Sequence, residues 1–213
     1  MIIHNCEQRS LAWHNLRIGI PTASNFKKIV TPKGKLSTQA DGFMNTLLAE
    51  WALGCQLDTP TSTYMEIGTD REPESVASYE FETGRTTTEV GFVTTNDGLI
   101  GCSPDRLVGD TGILELKNPA AQTHVGYLLS RSIEDEYKPQ LQGNLYVCER
   151  DWIEVQSYYP ALPSLIMRVV RDEKYIADLE FALQEFNSRM LEARLQLTRD
   201  FGVHPKERRA AVE

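Results

Sequence analysis

The clearest hydrophobic pattern lies near the C-terminal end of the chain, where apolar residues recur at steps of three and four. This spacing places the apolar side chains on one face of a helix. The residues are Leu179, Ala182, Leu183, Phe186, Met190, Ala193 and Leu197. The pattern predicts a long amphipathic helix over residues 173–200. Because such faces usually cover a core, we expect it to pack on the body of the protein rather than on another subunit.

The N-terminal third of the chain has the pattern of shorter helices. Thr22 precedes one apolar face that includes Phe26, and Ser37 precedes a second over residues 43–51. Hydroxyl side chains are favoured at helix N-caps, so both segments are predicted to be helical. Residues 65–81 are also compatible with a helix, because acidic and apolar positions alternate there at helical spacing.

The middle of the chain changes to short, β-rich apolar segments separated by turn residues, which is typical of strands. The predicted strands are residues 92–93, 99–102, 112–116, 152–159 and 165–170, with a helix over 137–146 between the third and the fourth. The first three are expected to form a small meander. Because helices precede and follow the strands, the sequence predicts an α/β fold with a central mixed β-sheet flanked by helices.

Length and composition indicate one globular domain. The chain has 213 residues, of which 41% are hydrophobic and 24% charged, and neither value suggests disorder. We divide the single domain 1–213 into N-terminal helices (1–60), a catalytic core (61–172) and a C-terminal helix (173–200). No apolar run approaches the roughly 20 residues that cross a bilayer, and no signal-like segment begins the chain. We therefore expect a cytoplasmic protein without membrane contact.

Cysteine and histidine spacing argues against a zinc site. The four cysteines, Cys6, Cys55, Cys102 and Cys148, never form a CxxC pair, and the histidines form no metal-spaced pair. The cysteines are expected to be reduced and mostly buried. The net charge of −8 also argues against a protein that coats DNA phosphates, so any nucleic-acid contact must be local.

The strongest chemical signal is the spacing of two acids and a lysine. Asp105 is followed after nine residues by Glu115-Leu116-Lys117, and a hairpin between them would bring both carboxylates to one end of the sheet. Alternate strand residues share a face, so Glu115 and Lys117 should point together while Leu116 turns into the core. Phosphodiester hydrolysis needs carboxylates for a divalent cation and positive charge near the phosphorane oxygens. These residues meet both requirements.

The spacing alone also allows a purely structural interpretation. Asp105 and Asp110 would then be turn residues, and Glu115 with Lys117 would form the solvated face of an edge strand.

With these residues in view, the chain closely resembles the lambda-type, or YqaJ-like, viral recombinase exonucleases of the PD-(D/E)xK nuclease superfamily. The resemblance covers nearly the whole chain and depends on several ordered blocks. The blocks are residues 12–24, 46–50, 68–72, 103–117 and 137–142. It implies a restriction-endonuclease-like core.

The resemblance implies a metal site and a catalytic lysine. Asp105, Glu115 and the Leu116 carbonyl would bind a pair of Mg²⁺ ions, with Mn²⁺ as an alternative metal. Glu72 would complete the site directly or through water, and Lys117 would be the catalytic lysine. The competing interpretation of Glu72 is one more charge on a solvated helix face.

The resemblance also implies residues that contact the substrate. Tyr137 and Gln140 would position water or the scissile phosphate, and Arg17, Ser24 and Ser103 would receive a terminal 5′-phosphate. An arginine fork with hydroxyls is a good phosphate receptor on physical grounds. The alternatives are that Arg17 pairs with a nearby acid and that Tyr137 and Gln140 only pack locally.

Two further residues stay outside this predicted site. Trp13 is left unassigned, because tryptophan is more often a core anchor than a base-stacking platform. Asp97, in the turn before Ser103, is left unassigned because that turn is shorter than expected from the resemblance.

The activity implied is 5′ to 3′ digestion of one strand of linear double-stranded DNA to mononucleotides, which leaves 3′ single-stranded tails for phage-type recombination. A phage- or prophage-encoded homotrimer acting on DNA ends in a bacterial cytoplasm, together with a single-strand annealing protein, is the implied setting. Two alternatives remain open at this point. One is a structure- or site-specific endonuclease on the same core, and the other is a non-catalytic recombination accessory that binds DNA ends.

Overall fold

The computed structural model describes residues 1–57, 70–133 and 137–206. The helices are Leu11–Arg17 (α1), Ala40–Leu53 (α2), Glu72–Thr83 (α3), Ala121–Ser130 (α4), Lys138–Val147 (α5) and Glu173–Phe201 (α6). The strands are Ile2–His4 (β1), Thr87–Thr88 (β2), Phe92–Thr94 (β3), Gly101–Cys102 (β4), Arg106–Val108 (β5), Gly112–Lys117 (β6), Trp152–Ser157 (β7) and Leu165–Val170 (β8). A 3₁₀ helix, Ala23–Lys28, lies between α1 and α2.

The strands form two sheets. One has the order β1-β3-β4 and is antiparallel. The other has the order β2-β5-β6-β7-β8, and it is mixed because β6 and β7 are parallel while the remaining pairs are antiparallel. The larger sheet, flanked by helices, confirms the predicted α/β fold.

The prediction of a single meander is wrong, because the chain changes sheet between β4 and β5. The segment Ser103-Pro104-Asp105 connects the two strands, and proline has no N–H with which to continue a strand ladder. Strand β4 ends at Cys102 and strand β5 begins at Arg106, so Ser103 follows one sheet and Asp105 precedes the other.

Strand β6 separates two apolar layers. Ile113 packs in the main core with the 3₁₀ helix, α2, α5 and α6. Leu114 and Leu116 point to the other face and pack under α3, against Val76 and Tyr79. The alternation expected of a strand is therefore present, and both faces of the larger sheet are covered.

The long C-terminal helix matches its sequence pattern closely. Asp172 accepts a hydrogen bond from the Tyr175 amide over 3.0 Å at the N-cap, and Gly202 ends the helix with a φ of 66°. The face that includes Leu179, Leu183 and Phe186 is buried in the main core. This confirms that the apolar stripe packs on the body of the protein.

Some element boundaries differ from the predicted ones. Helix α2 begins at Ala40, because the Ser37 hydroxyl accepts from the Gln39 amide instead of capping the helix directly. Helix α3 begins at Glu72, and residues 65–69 of the predicted helix lie outside the described residues. Strands β1, β2 and β5 and helices α1 and α4 were not predicted individually, because their patterns are too short or too mixed.

The four cysteines are free thiols. Cys102 and Cys148 are buried with their Sγ atoms 3.4 Å apart, whereas Cys6 and Cys55 are partly exposed. No helix in the described part of the chain has the length and apolar character needed to cross a membrane.

Candidate active site

The β5–β6 hairpin brings the two predicted carboxylates together. Arg106 pairs with Leu114 in the hairpin register, so Asp105 lies opposite Glu115. The Asp105 carboxylate accepts a hydrogen bond from the Leu116 amide over 2.6 Å, and this bond fixes it to the neighbouring strand. Glu115 is only 3% exposed, and β6 lies between β5 and β7. The alternative of a solvated edge strand is therefore wrong.

Lys117 lies beside Glu115, as the strand alternation predicted. Its Nζ is 2.8 Å from Glu115 Oε1 and 3.4 Å from Gln140 Oε1. The ammonium also lies 4.6 Å from the centre of the Tyr137 ring, within cation–π distance. All four side chains therefore meet at one end of the larger sheet.

Two amide side chains of helix α5 donate hydrogen bonds to the carboxylate of Glu115. Gln140 Nε2 donates to Oε1 over 2.6 Å, and Asn144 Nδ2 donates to Oε2 over 3.0 Å. The two amides are one helical turn apart, so they project from the same face. Sequence reasoning missed Asn144, although its spacing of four from Gln140 was a usable signal.

Burial and neighbouring charges shift the pKa values of Asp105 and Lys117. Burial, followed by the charge of Glu115, raises the pKa of Asp105 well above its ordinary value, although Lys117 and the Leu116 amide oppose the shift. Burial alone would lower the pKa of Lys117, but the carboxylates of Glu115 and Asp105 outweigh it and raise that pKa. Lys117 is therefore an ammonium, and a further cation near Asp105 would relieve carboxylate repulsion.

Glu72 lies near this cluster but pairs with a different residue. It is the first residue of α3, and its Oε1 is 2.6 Å from Arg9 Nη2. Glu72 and Asp105 line the same cleft, which has a volume of about 560 Å³. Sequence reasoning did not assign Arg9. Glu72 is thus not a free charge on a solvated helix face.

The donor set suits a hard divalent cation. Carboxylate and carbonyl oxygens are the ligands that Mg²⁺ and Mn²⁺ prefer, and Asp105, Glu115 and Glu72 provide the carboxylates. Within residues 1–57, 70–133 and 137–206, no three His, Cys, Asp or Glu side chains already form a closed metal cluster. Glu72 is hydrogen-bonded to Arg9 in this arrangement.

A second polar group lies on the other side of Pro104. Arg17 Nη1 donates to Ser103 Oγ over 3.2 Å, and Nη2 donates to Thr22 Oγ1 over 3.4 Å. Thr22 Oγ1 is in turn 3.4 Å from Ser24 Oγ. The three residues predicted to receive a phosphate are therefore connected, with Thr22 between Arg17 and Ser24.

Arg17 has the properties of an anion receptor. Burial lowers its pKa to about 10, so it stays cationic at neutral pH. Its Nη1 and Nη2 each donate one of their two N–H groups to Ser103 and Thr22, so each terminal nitrogen keeps a second donor that a phosphate could accept.

Trp13, which the sequence left unassigned, contacts two residues of the predicted phosphate site. Its indole Nε1 donates to Ser103 Oγ over 2.8 Å, and the Arg17 guanidinium stacks on its ring at 4.0 Å. The pair is four residues apart on α1, where side chains are neighbours. Trp13 therefore orients Arg17 and Ser103. Asp97 accepts hydrogen bonds within its own turn, from Thr95 Oγ1 and the Leu99 amide.

Solved structures resemble this arrangement. An alkaline exonuclease from Laribacter hongkongensis, LHK-Exo, is 30% identical with a TM-score of 0.82, covering 91% of this chain and 98% of its own. The same values apply to LHK-Exo in complex with dAMP. A phage-related exonuclease from Haemophilus somnus is 14% identical with a TM-score of 0.63, covering 84% and 98% of the two chains, and shows the fold alone.

The α/β core and its acid-lysine cluster define a nuclease of the phage exonuclease type. The chain belongs to the family of the YqaJ-like viral recombinase domain, whose family model matches residues 12–151. No curated protein sequence gives a significant match.

Proposed function

We propose that this protein is a divalent-metal-dependent exonuclease that digests the 5′-ended strand of linear double-stranded DNA in the 5′ to 3′ direction. The main support is the position of two sites on either side of Pro104. Ser103 belongs to the polar group around Arg17, and Asp105 belongs to the cluster with Glu115 and Lys117. A terminal phosphate on the first site would place the next phosphodiester beside the second.

The residues of this chain divide the work of hydrolysis. Asp105, Glu115 and the Leu116 carbonyl would hold Mg²⁺ or Mn²⁺, and Glu72 would join them after leaving Arg9. A bound ion supplies Lewis acidity and lowers the pKa of a water molecule.

The side chains around Glu115 would act on that water and on the phosphate. Lys117 orients the water and offers positive charge to the phosphorane oxygens, and Tyr137 lies against its ammonium. Gln140 and Asn144 fix the rotamer of Glu115 through their hydrogen bonds, which is the orienting role of outer-shell residues around metal ligands.

The biological setting that we propose is phage-type recombination. The products would be mononucleotides and a 3′ single-stranded tail, which a single-strand annealing protein would coat. A homotrimeric ring around the duplex would explain how a chain with a net charge of −8 remains on DNA over many cycles, since phosphate contacts alone would hold it weakly.

Digestion of defined duplexes tests the activity. With Mg²⁺, the protein should degrade linear duplex and spare covalently closed circles, and label at the 5′ end should be released as mononucleotide before label at the 3′ end. Linear duplex with 5′-phosphates should be cut faster than duplex with 5′-hydroxyls. Cutting of closed circles would instead identify an endonuclease, and equal rates on the two kinds of end would contradict the phosphate role of Arg17, Ser24 and Ser103.

A further inference from the structure

The loop between β1 and α1 places the guanidinium of Arg9 beside the catalytic cleft. Arg9 has a φ of 69°, a left-handed conformation that residues other than glycine rarely adopt. The loop is anchored on both sides of it: Gln8 donates to the carbonyls of Val90 and Pro104, and Ser10 caps α1. The backbone of Arg9 is therefore fixed next to Asp105. Such uncommon conformations cluster at functional sites.

The side chain of Arg9 is held by one carboxylate. Its Nη2 and Nη1 lie 2.6 Å and 3.5 Å from the two carboxylate oxygens of Glu72. Arg9 is 49% exposed and Glu72 32%. An ion pair this accessible to water is weak, so a divalent cation can displace the guanidinium from the carboxylate at small cost.

The charges around the cleft favour such an exchange. Four carboxylates and two guanidiniums line it, from Glu7, Glu72, Glu89, Asp105, Arg9 and Arg106. Arg106 is paired with Glu89 at 3.0 Å. A phosphodiester would therefore meet excess negative charge until a cation binds the carboxylates, and Arg9 is the guanidinium that such binding releases.

We propose that Arg9 is a substrate-binding residue that Glu72 holds in reserve: once a divalent cation binds Glu72, the freed guanidinium binds a phosphate of the DNA strand in the cleft. This inference rests on the proposed function and adds a strand contact beyond the pocket at Arg17. It requires that Arg9 and the cation compete for one carboxylate. Removing Arg9 should therefore strengthen cation binding and weaken DNA binding.

Arg9→Gly tests both effects in a protein that keeps its fold, because glycine adopts the left-handed conformation without strain. Mn²⁺ binding without DNA, measured by calorimetry, should be several-fold tighter than in the unaltered protein. Binding of a 5′-phosphorylated duplex, measured by fluorescence anisotropy with Ca²⁺ replacing Mg²⁺ to prevent hydrolysis, should be about tenfold weaker. The slope of log affinity against log salt concentration should fall by about one unit, because one phosphate contact is lost.

Two further variants separate this role from a general loss of charge. Arg9→Lys keeps the cation and should recover most of the duplex affinity. Arg189→Ala removes another exposed arginine, which lies on α6 and pairs with Asp41 of α2. This variant should change neither Mn²⁺ affinity nor the salt slope.

The inference is overturned if Arg9→Gly binds Mn²⁺ more weakly, since Arg9 would then position Glu72 for the cation. It is also overturned if duplex affinity and salt slope stay unchanged. Failure of the proposed function has a different signature: the unaltered protein with Mg²⁺ would leave linear duplex intact, whatever the effect of Arg9→Gly on Mn²⁺ binding.

Discussion

Asn144 donates a hydrogen bond to Glu115 Oε2 while Gln140, one helical turn away, donates to Oε1. Asn144 is only 1% exposed and Glu115 only 3%. Both oxygens of the buried carboxylate are therefore held by one helix, and its rotamer is fixed before any ligand arrives. Helix α5 orients the catalytic end of β6 as well as covering the core.

Asn144→Ala should reduce turnover by about 10- to 100-fold, which is the usual cost of removing a partner of a metal-binding side chain. The loss should appear in kcat and in the Mg²⁺ concentration that gives half-maximal rate, with little change in duplex affinity. Asn144→Ser, which keeps a donor, should recover part of the rate. Asn187→Ala, at a half-buried position of α6 where the amide donates to the Leu99 carbonyl, makes the same chemical change away from the site and should leave the rate unaltered. A normal Mg²⁺ dependence in Asn144→Ala would contradict the positioning role.

Lys117→Ala should keep duplex binding and lose turnover by about 10²- to 10⁴-fold, because the ammonium acts on charge that develops during the reaction. Single-turnover digestion and anisotropy on the same duplex separate the two quantities. The matched control is Lys138→Ala, because Lys138 follows Tyr137 directly in the chain but pairs with Asp172 instead of with Glu115. Full activity in Lys117→Ala would remove the lysine from the mechanism.

Asp105→Asn should stabilise the metal-free protein at alkaline pH while abolishing activity. The pKa of Asp105 is raised in the folded state, mainly by burial, so folded protein binds this proton more tightly than the unfolded chain does. That contribution to stability is fully present below the unfolded pKa, near 3.9, and is lost as pH rises through the higher folded value.

Urea midpoints measured with a chelator should therefore be higher for Asp105→Asn than for the unaltered protein at pH 8, and the difference should shrink towards pH 4. Asp110→Asn changes an exposed turn residue and should show no such pH dependence. A lower midpoint for Asp105→Asn at pH 8 would mean that the charged carboxylate stabilises the fold.

Gly143→Ala should destabilise the protein by about 1–3 kcal/mol, because an added Cβ overpacks a tight contact. That atom would lie 2.4 Å from Cδ2 of Phe26, which is fully buried in the 3₁₀ helix. Gly126→Ala is the matched control, since nothing lies within 4 Å of its added Cβ, and it should stabilise α4 by up to about 1 kcal/mol. Equal midpoints in urea for the two variants would argue against close packing of α5 on the 3₁₀ helix.

The sequence was informative wherever the controlling interaction is local. Strand alternation correctly placed Glu115 and Lys117 on one face, and helical spacing correctly predicted the buried face of α6. The same kind of reasoning could not show that β4 and β5 belong to different sheets, because strand partners are chosen by contacts distant in the chain.

Distant contacts also explain which site residues were missed. Arg9 pairs with Glu72 across 63 positions, and Trp13 donates to Ser103 across 90. No periodicity connects such pairs. Asn144 is a different case, because its spacing from Gln140 was visible, but its meaning depended on knowing that β6 passes beneath α5.

The single proline between the two sheets has a consequence for product length. Ser103 and Asp105 are separated by one residue, so their Cα atoms can be at most about 7 Å apart, and a proline ring makes that connection stiff. Under the proposed activity, this segment would therefore fix the distance between the terminal phosphate, bound near Ser103, and the scissile phosphodiester, bound near Asp105, at one nucleotide. Each cut would then release one nucleotide, and the size of the product would be set by covalent geometry rather than by any recognition of the bases.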